Sequence, residues 1–164
     1  MAGNTLPLPV RDVMHHLRSG ANLETVGLFR KTPSIALLEV LRGAYEANLR
    51  ITLSEWPDST ILAGSILKTY LRNLRYPLFP SSLYECVRKC PVNEEEAMIY
   101  VREVLLPTLA KAHPDGELAS VLLRELLRLL RDVAKQKGEA FFLPRMCHRL
   151  FRVNCNADVL CIPP

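Results

Sequence analysis

The side chains in this sequence best placed for chemistry are basic. Arg30 closes the run Gly27-Leu28-Phe29-Arg30 inside a segment, 22–32, that has no helical periodicity and is closed by Pro33. Further on, Gly64, Lys68, Arg72 and Arg75 recur at intervals of three and four. A helix turning about 100° per residue gathers them on one narrow face, opposite a wide apolar arc of Leu62, Ile66, Leu67, Tyr70, Leu71 and Leu74. Such a stripe either faces water or meets an acidic or phosphate-bearing partner. An arginine suits the second role: its planar fork of donors engages phosphate oxygens bidentately, whereas an ammonium acts as a point charge.

The remaining reactive residue types form no comparable pattern. Cys147, His148, Cys155 and Cys161 contain no CxxC or HxxxH pair, and closed metal sites are usually built from such close pairs, so no metal and no cofactor is expected. Cys86 and Cys90 lie one helical turn apart and read as small buried side chains. His15 and His16 have no carboxylate or cysteine nearby in sequence, and His16 falls on the wet side of its helix. Trp56 beside Pro57 reads as a loop anchor over the core.

The elements that must hold the basic residues are helices. Val10, Val13, Met14 and Leu17 stand at i, i+3, i+4 and i+7, an amphipathic stripe that Gly20 ends. A second helix is expected over 34–47, burying Leu37, Leu38, Leu41 and Tyr45, and then a loop over 48–57, extended around 50–53. Asp58 and Ser59 offer N-cap oxygens to the third helix, which carries the basic stripe to about residue 74. Ser81 or Ser82 can cap a short helix running to Cys90. Asn93 caps the next one, with Glu94, Glu95 and Glu96 against its positive end, and Pro107 should kink or end it. A long helix over about 117–135 buries Leu118, Leu122, Leu126, Leu129 and Val133, with Arg124, Arg128 and Arg131 wet. From Gly138 onward periodicity gives no assignment.

Composition bounds the rest. The 164 residues fit one domain, 49% are hydrophobic and 23% charged, and with only 7 glycines the Leu-, Arg- and Glu-rich segments favour an all-α bundle. A net charge of +4 is too small and too dispersed to indicate nucleic-acid binding. No segment approaches the roughly 20 apolar residues of a membrane span. The start of the chain lacks a signal-peptide pattern, and the five cysteines form no disulfide framework, so a cytoplasmic, monomeric domain is expected.

Several blocks together resemble the Rho GTPase-activating (RhoGAP) domain family. Val26-Gly27-Leu28-Phe29-Arg30-Lys31 is similar to that family's GIFR or GIYR signature. Residues 65–78, SILKTYLRNLRYPL, resemble its LLKxFLRELPEPL block, and Ser81-Ser82-Leu83-Tyr84 its xxLY stretch. Pro9-Val10 before a helix resembles the family's start, and 126–133 its LLxxLxxV helix. The resemblance spans about 6–135. It implies an all-α RhoGAP-type bundle over 1–164, a GTP-bound Rho-family small GTPase as partner, and Arg30 as an arginine finger. Lys68 and Arg72 match the family's basic pair, which holds the finger loop and contacts the GTPase switch region.

The chain also departs from the family. Lys31-Thr32-Pro33-Ser34 stands where a glycine usually follows the finger, and Arg75-Tyr76 replaces an acidic position. The late NxMxxxNLAxxFGPNL block, which normally lends an asparagine to the GTPase, is reduced to Met146 and Leu150, with Asn154 or Asn156 as candidate replacements. Two expectations result: a GTPase-activating domain, or a non-catalytic domain of the same fold that binds a small GTPase or another signalling partner without accelerating hydrolysis.

Overall fold

A computed structural model of the chain describes residues 6–91 and 93–137, and among these it is helical throughout with no strand. The described residues fall into two compact units, 7–73 with 129–137, and Leu6 with 74–128.

The first unit is organised around α3 (Ser59–Arg72). Residues 61–67 are all buried, as is Leu71. The narrow face carrying the basic stripe is therefore covered at Gly64, and α3 ends at Arg72, so Arg75 lies beyond it. Asp58 occupies the N-cap position in left-handed backbone (φ 50°), but its side chain makes no capping hydrogen bond. Against α3 packs α1 (Leu8–Arg18), which buries the expected Val10, Val13, Met14 and Leu17. Pro7 and Pro9 sit at its start, where a missing N–H costs nothing.

α2 (Ile35–Glu46) also packs on α3, burying Leu41 and Tyr45, while Leu37 and Leu38 are only half-buried. The helix ends on Asn48, whose positive φ of 53° lets the Leu49 N–H reach the Ala44 carbonyl and the Asn48 N–H reach that of Tyr45. This pair of bonds closes orphan carbonyls, and asparagine tolerates the left-handed backbone they need. In the loop after α2 Thr52 is extended, as expected, and a 3₁₀ turn, Leu53–Glu55, then buries Leu53. From α7 (Gly116–Lys137), the buried Leu129, Leu130, Val133 and Ala134 belong to this unit, and Asp132 pairs with Arg18 at 3.5 Å.

In the second unit a 3₁₀ turn (Ser81–Leu83) runs into α4 (Tyr84–Arg88), and neither serine supplies a capping bond. α5 (Glu94–Tyr100) starts as expected, the Asn93 carboxamide oxygen accepting the N–H groups of Glu95 and Glu96. Pro107 does not end this helix. A π-turn over Val101–Leu105 shifts the hydrogen-bond register immediately ahead of the proline, and α6 (Leu106–Ala112) continues through it. α7 opens on Gly116, where a Cβ would overlap the Ala110 carbonyl, so only glycine fits that approach. In α7 Leu122 and Leu126 are buried as expected; Leu118 and Arg131 are half-buried, so Arg131 is not on the wet face. Cys86 and Cys90 are free and half-buried, and the Tyr100 hydroxyl donates to the Cys86 carbonyl at 2.9 Å. No helix among the described residues is long and apolar enough to cross a membrane. The residues quoted above from 138 onward, with Cys147, His148, Asn154, Asn156 and Cys161, lie outside the described part.

Candidate functional site

The turn that carries Arg30 is shaped by its backbone. Gly27 has φ +81°, a conformation in which a side chain would be strained and would also press on the Lys31 side chain. From that corner the Gly27 carbonyl accepts the N–H groups of both Arg30 and Lys31 at 2.8 Å, and the Thr25 carbonyl accepts that of Leu28. Leu28 is buried at 2% exposure, Phe29 is half-buried, and Arg30 and Lys31 are exposed. Burial thus falls off along the turn that starts at the glycine corner, from Leu28 to Arg30. Pro33 is buried, and α2 begins two residues later at Ile35.

A polar cluster fixes the segment leading into this turn. Asn22 donates to the His16 carbonyl at 2.7 Å and accepts from the Thr60 hydroxyl at 2.9 Å, so it bridges the end of α1 to the start of α3. His16 Nε2 lies 3.1 Å from Ser59 Oγ. His16 is therefore half-buried and partnered, not on a wet face. The sequence held a signal for this: Ser59-Thr60 at a helix start and Asn22 after a helix end are short polar side chains suited to bonding across termini.

Burial, and secondarily the neighbouring His15, hold the His16 pKa below its ordinary 6.5. A hydroxyl can donate or accept, so the Ser59 contact tolerates either state of the ring, and the desolvation sets the sign. The unfolded chain binds this proton more readily than the folded one. The stabilisation is therefore complete above about pH 6.5 and is lost as pH falls through the lower folded value. Thermal melts between about pH 7.5 and about pH 5 should show a steeper loss of Tm for the wild type than for His16→Gln. Equal slopes would remove His16 from the account.

Lys68 and Gly64 meet the turn from α3. The Lys68 ammonium donates to the Phe29 carbonyl at 3.2 Å. Its pKa is lowered, first by burial and then by repulsion from Arg72. Arg72 is exposed, one turn further along the same helix. Gly64 is buried beneath the turn: a Cβ there would stand 2.7 Å from the Leu28 carbonyl oxygen and 3.4 Å from a Phe29 ring carbon. The helical wheel placed Gly64 on the basic stripe, but the turn at Leu28 and Phe29 covers it. Its helical backbone does not need glycine, and a mid-helix glycine costs about 1 kcal/mol relative to alanine, so the close approach is what it provides. Arg30, Lys68 and Arg72 take part in no ion pair among the described residues. No group of three or more His, Cys, Asp or Glu that could hold a metal occurs among them either.

Among the described residues a helical frame thus presents Arg30, outside any ion pair, from a turn that rests on the lysine-bearing α3. Comparison with known proteins gives the family. The family model described as "RhoGAP domain" matches residues 7–146, and this chain belongs to that family. It is 32% identical over 134 residues to the rat Rho GTPase-activating protein SYDE1, covering 79% of this chain and 16% of that protein. It is 28% identical over 136 residues to human Rho GTPase-activating protein 20, covering 82% and 11%. With the Dictyostelium discoideum Rho GTPase-activating protein gacF it shares 32% identity over 108 residues, 66% of this chain and 9% of that one. The chain thus spans less than a fifth of the length of these relatives. No solved structure gives a significant match.

Proposed function

We propose that this chain stimulates GTP hydrolysis by a GTP-loaded Rho-family small GTPase, with Arg30 entering the partner's nucleotide site as an arginine finger. The observation that carries this reading is the turn 27–31, whose backbone is held by α3 while the Arg30 side chain stays exposed and outside any ion pair among the described residues. Hydrolysis moves charge onto the phosphate oxygens, and an unaided GTPase holds too little positive charge there. A guanidinium brought in on a turn whose backbone is already held stabilises that charge. Arginine fingers contribute on the order of 10³ to 10⁵ in rate, or about 4–7 kcal/mol of barrier. This chain supplies no nucleophile, base, metal or cofactor in the scheme.

Lys68 then holds the turn, and Arg72, exposed beside it, offers its charge to the switch region. The family match from 7 to 146 includes residues of both compact units, which supports treating 1–164 as one RhoGAP-type domain, acting as a monomer in the cytoplasm. A second reading, a domain of the same fold that binds a GTPase without accelerating it, is favoured by the altered asparagine block in the sequence and by Pro33 three residues after Arg30.

Single-turnover GTP hydrolysis by a panel of Rho-family GTPases, with and without this domain, separates the two readings. Acceleration of at least one GTPase is expected. Binding preferential for the GTP-loaded form, with no acceleration of any member, would establish the second reading in place of the first.

A further inference from the structure

Gly64 does something neither the helix nor the partner requires of it. It lies in the middle of the fully buried stretch 61–67, in ordinary helical backbone, and what it meets is main chain: the Leu28 carbonyl oxygen. One turn along α3, Lys68 meets the next carbonyl of the same turn, that of Phe29. Two successive loop carbonyls thus rest on two successive turns of one helix. Arg30 follows immediately, its own N–H tied to the Gly27 carbonyl at 2.8 Å. A backbone oxygen between a buried Leu28 side chain and a hydrogen-bonded Phe29 carbonyl cannot swing aside as a side-chain tip could. Any displacement at Leu28 passes to Arg30 through two peptide planes, which are stiff.

Accepting Arg30 as the finger, we infer that Gly64 is a positioning residue for it: the missing side chain sets how closely the turn sits on α3, and hence where the guanidinium stands. A methyl group at this position pushes the Leu28 carbonyl outward by several tenths of an ångström, because a Cβ at 2.7 Å from backbone oxygen is inside contact distance. Placement errors of this size are costly in a transition state and nearly free in a ground-state complex, where the finger bears no developing charge.

The test is a double-mutant cycle of Gly64→Ala and Arg30→Ala, read as affinity for a Rho-family GTPase loaded either with a non-hydrolysable GTP analogue or with GDP and aluminium fluoride, a transition-state mimic. Gly64→Ala is expected to lower kcat and transition-state-mimic affinity by about 10- to 100-fold while ground-state affinity stays within about 3-fold. In the Arg30→Ala background, Gly64→Ala should change mimic affinity by less than about 2-fold, because its effect runs through a side chain no longer there. Amide NMR shifts should move in 27–31 more than elsewhere.

Equal losses in both backgrounds, losses that fall equally on the ground state, or no loss at all would overturn the inference. So would global unfolding of Gly64→Ala in a thermal melt, which would make the residue a folding requirement only. Should Arg30→Ala itself leave rate and mimic affinity intact, the finger assignment fails first and the inference falls with it. Should Arg30→Ala be damaging and Gly64→Ala harmless, the inference about Gly64 alone fails.

Discussion

Arg30→Ala is expected to remove the proposed acceleration of GTP hydrolysis, by on the order of 10³ to 10⁵ in single-turnover rate, and to leave the domain folded and able to bind GTP-loaded partner. Two structural facts set this expectation. Arg30 is exposed and its side chain makes no hydrogen bond or ion pair among the described residues, so truncation takes nothing from the core; stability should stay within about 0.5 kcal/mol. The turn itself is held by backbone bonds from Gly27 and by α3, which the substitution leaves in place. Arg30→Lys should be nearly as damaging, because a point charge lacks the fork that spans two phosphate oxygens. A variant that kept more than about a tenth of the acceleration would not be missing its finger.

Lys68 and Arg72, treated alike by sequence, should separate when each is replaced. Lys68 is half-buried and donates to Phe29; Lys68→Met keeps the aliphatic stem but leaves that carbonyl without its donor. Loss of a hydrogen bond from a charged donor costs about 1.5–3 kcal/mol, and here the loss should fall mainly on rate, since the bond holds the turn that carries Arg30. Arg72 is exposed, so Arg72→Ala should cost under about 1 kcal/mol of affinity, with the difference shrinking as salt is raised. Titration of the GTPase in its GTP-loaded and transition-state-like forms, at two salt concentrations, distinguishes these patterns. Wild-type behaviour in both variants would leave the basic face of α3 without a part in docking.

What could be read from the sequence was whatever periodicity and local chemistry decide. The stripe of Val10, Val13, Met14 and Leu17 and the Asn93 cap depend on residues within two or three turns of one another and are present as expected. Of the apolar arc of α3, Leu62, Ile66, Leu67 and Leu71 are buried, whereas Tyr70 is half-buried and Leu74 lies beyond the helix. Gly64 could not be placed, because a helical wheel gives the angle of a residue and says nothing of what approaches it; its neighbour is a carbonyl far back in the chain. His16 was misassigned for the same reason, its partner Ser59 lying on another helix. Asp58 has the right side chain for a cap, but its left-handed backbone precludes the geometry in which that side chain would reach back to the helix. Pro107 was expected to kink or end its helix; it does not end it, and the shift of hydrogen-bond register falls in the π-turn just ahead of it, whose place the missing N–H alone does not specify.

The anchoring of the finger turn through its carbonyls has a consequence for how this surface tolerates sequence change. Lys68 and Gly64 address the oxygens of Leu28 and Phe29, and those oxygens are the same whatever side chains stand there. Positions 28 and 29 need only fill their share of space, so drift within Leu, Ile, Met, Phe and Tyr would leave the anchor untouched. The information that aims the arginine is written instead on the opposite strip of α3, in one residue that must stay absent of bulk and one that must stay a donor. A saturation survey confined to the loop would find it permissive and would miss its fixed points, which surface only when the helix behind it is varied.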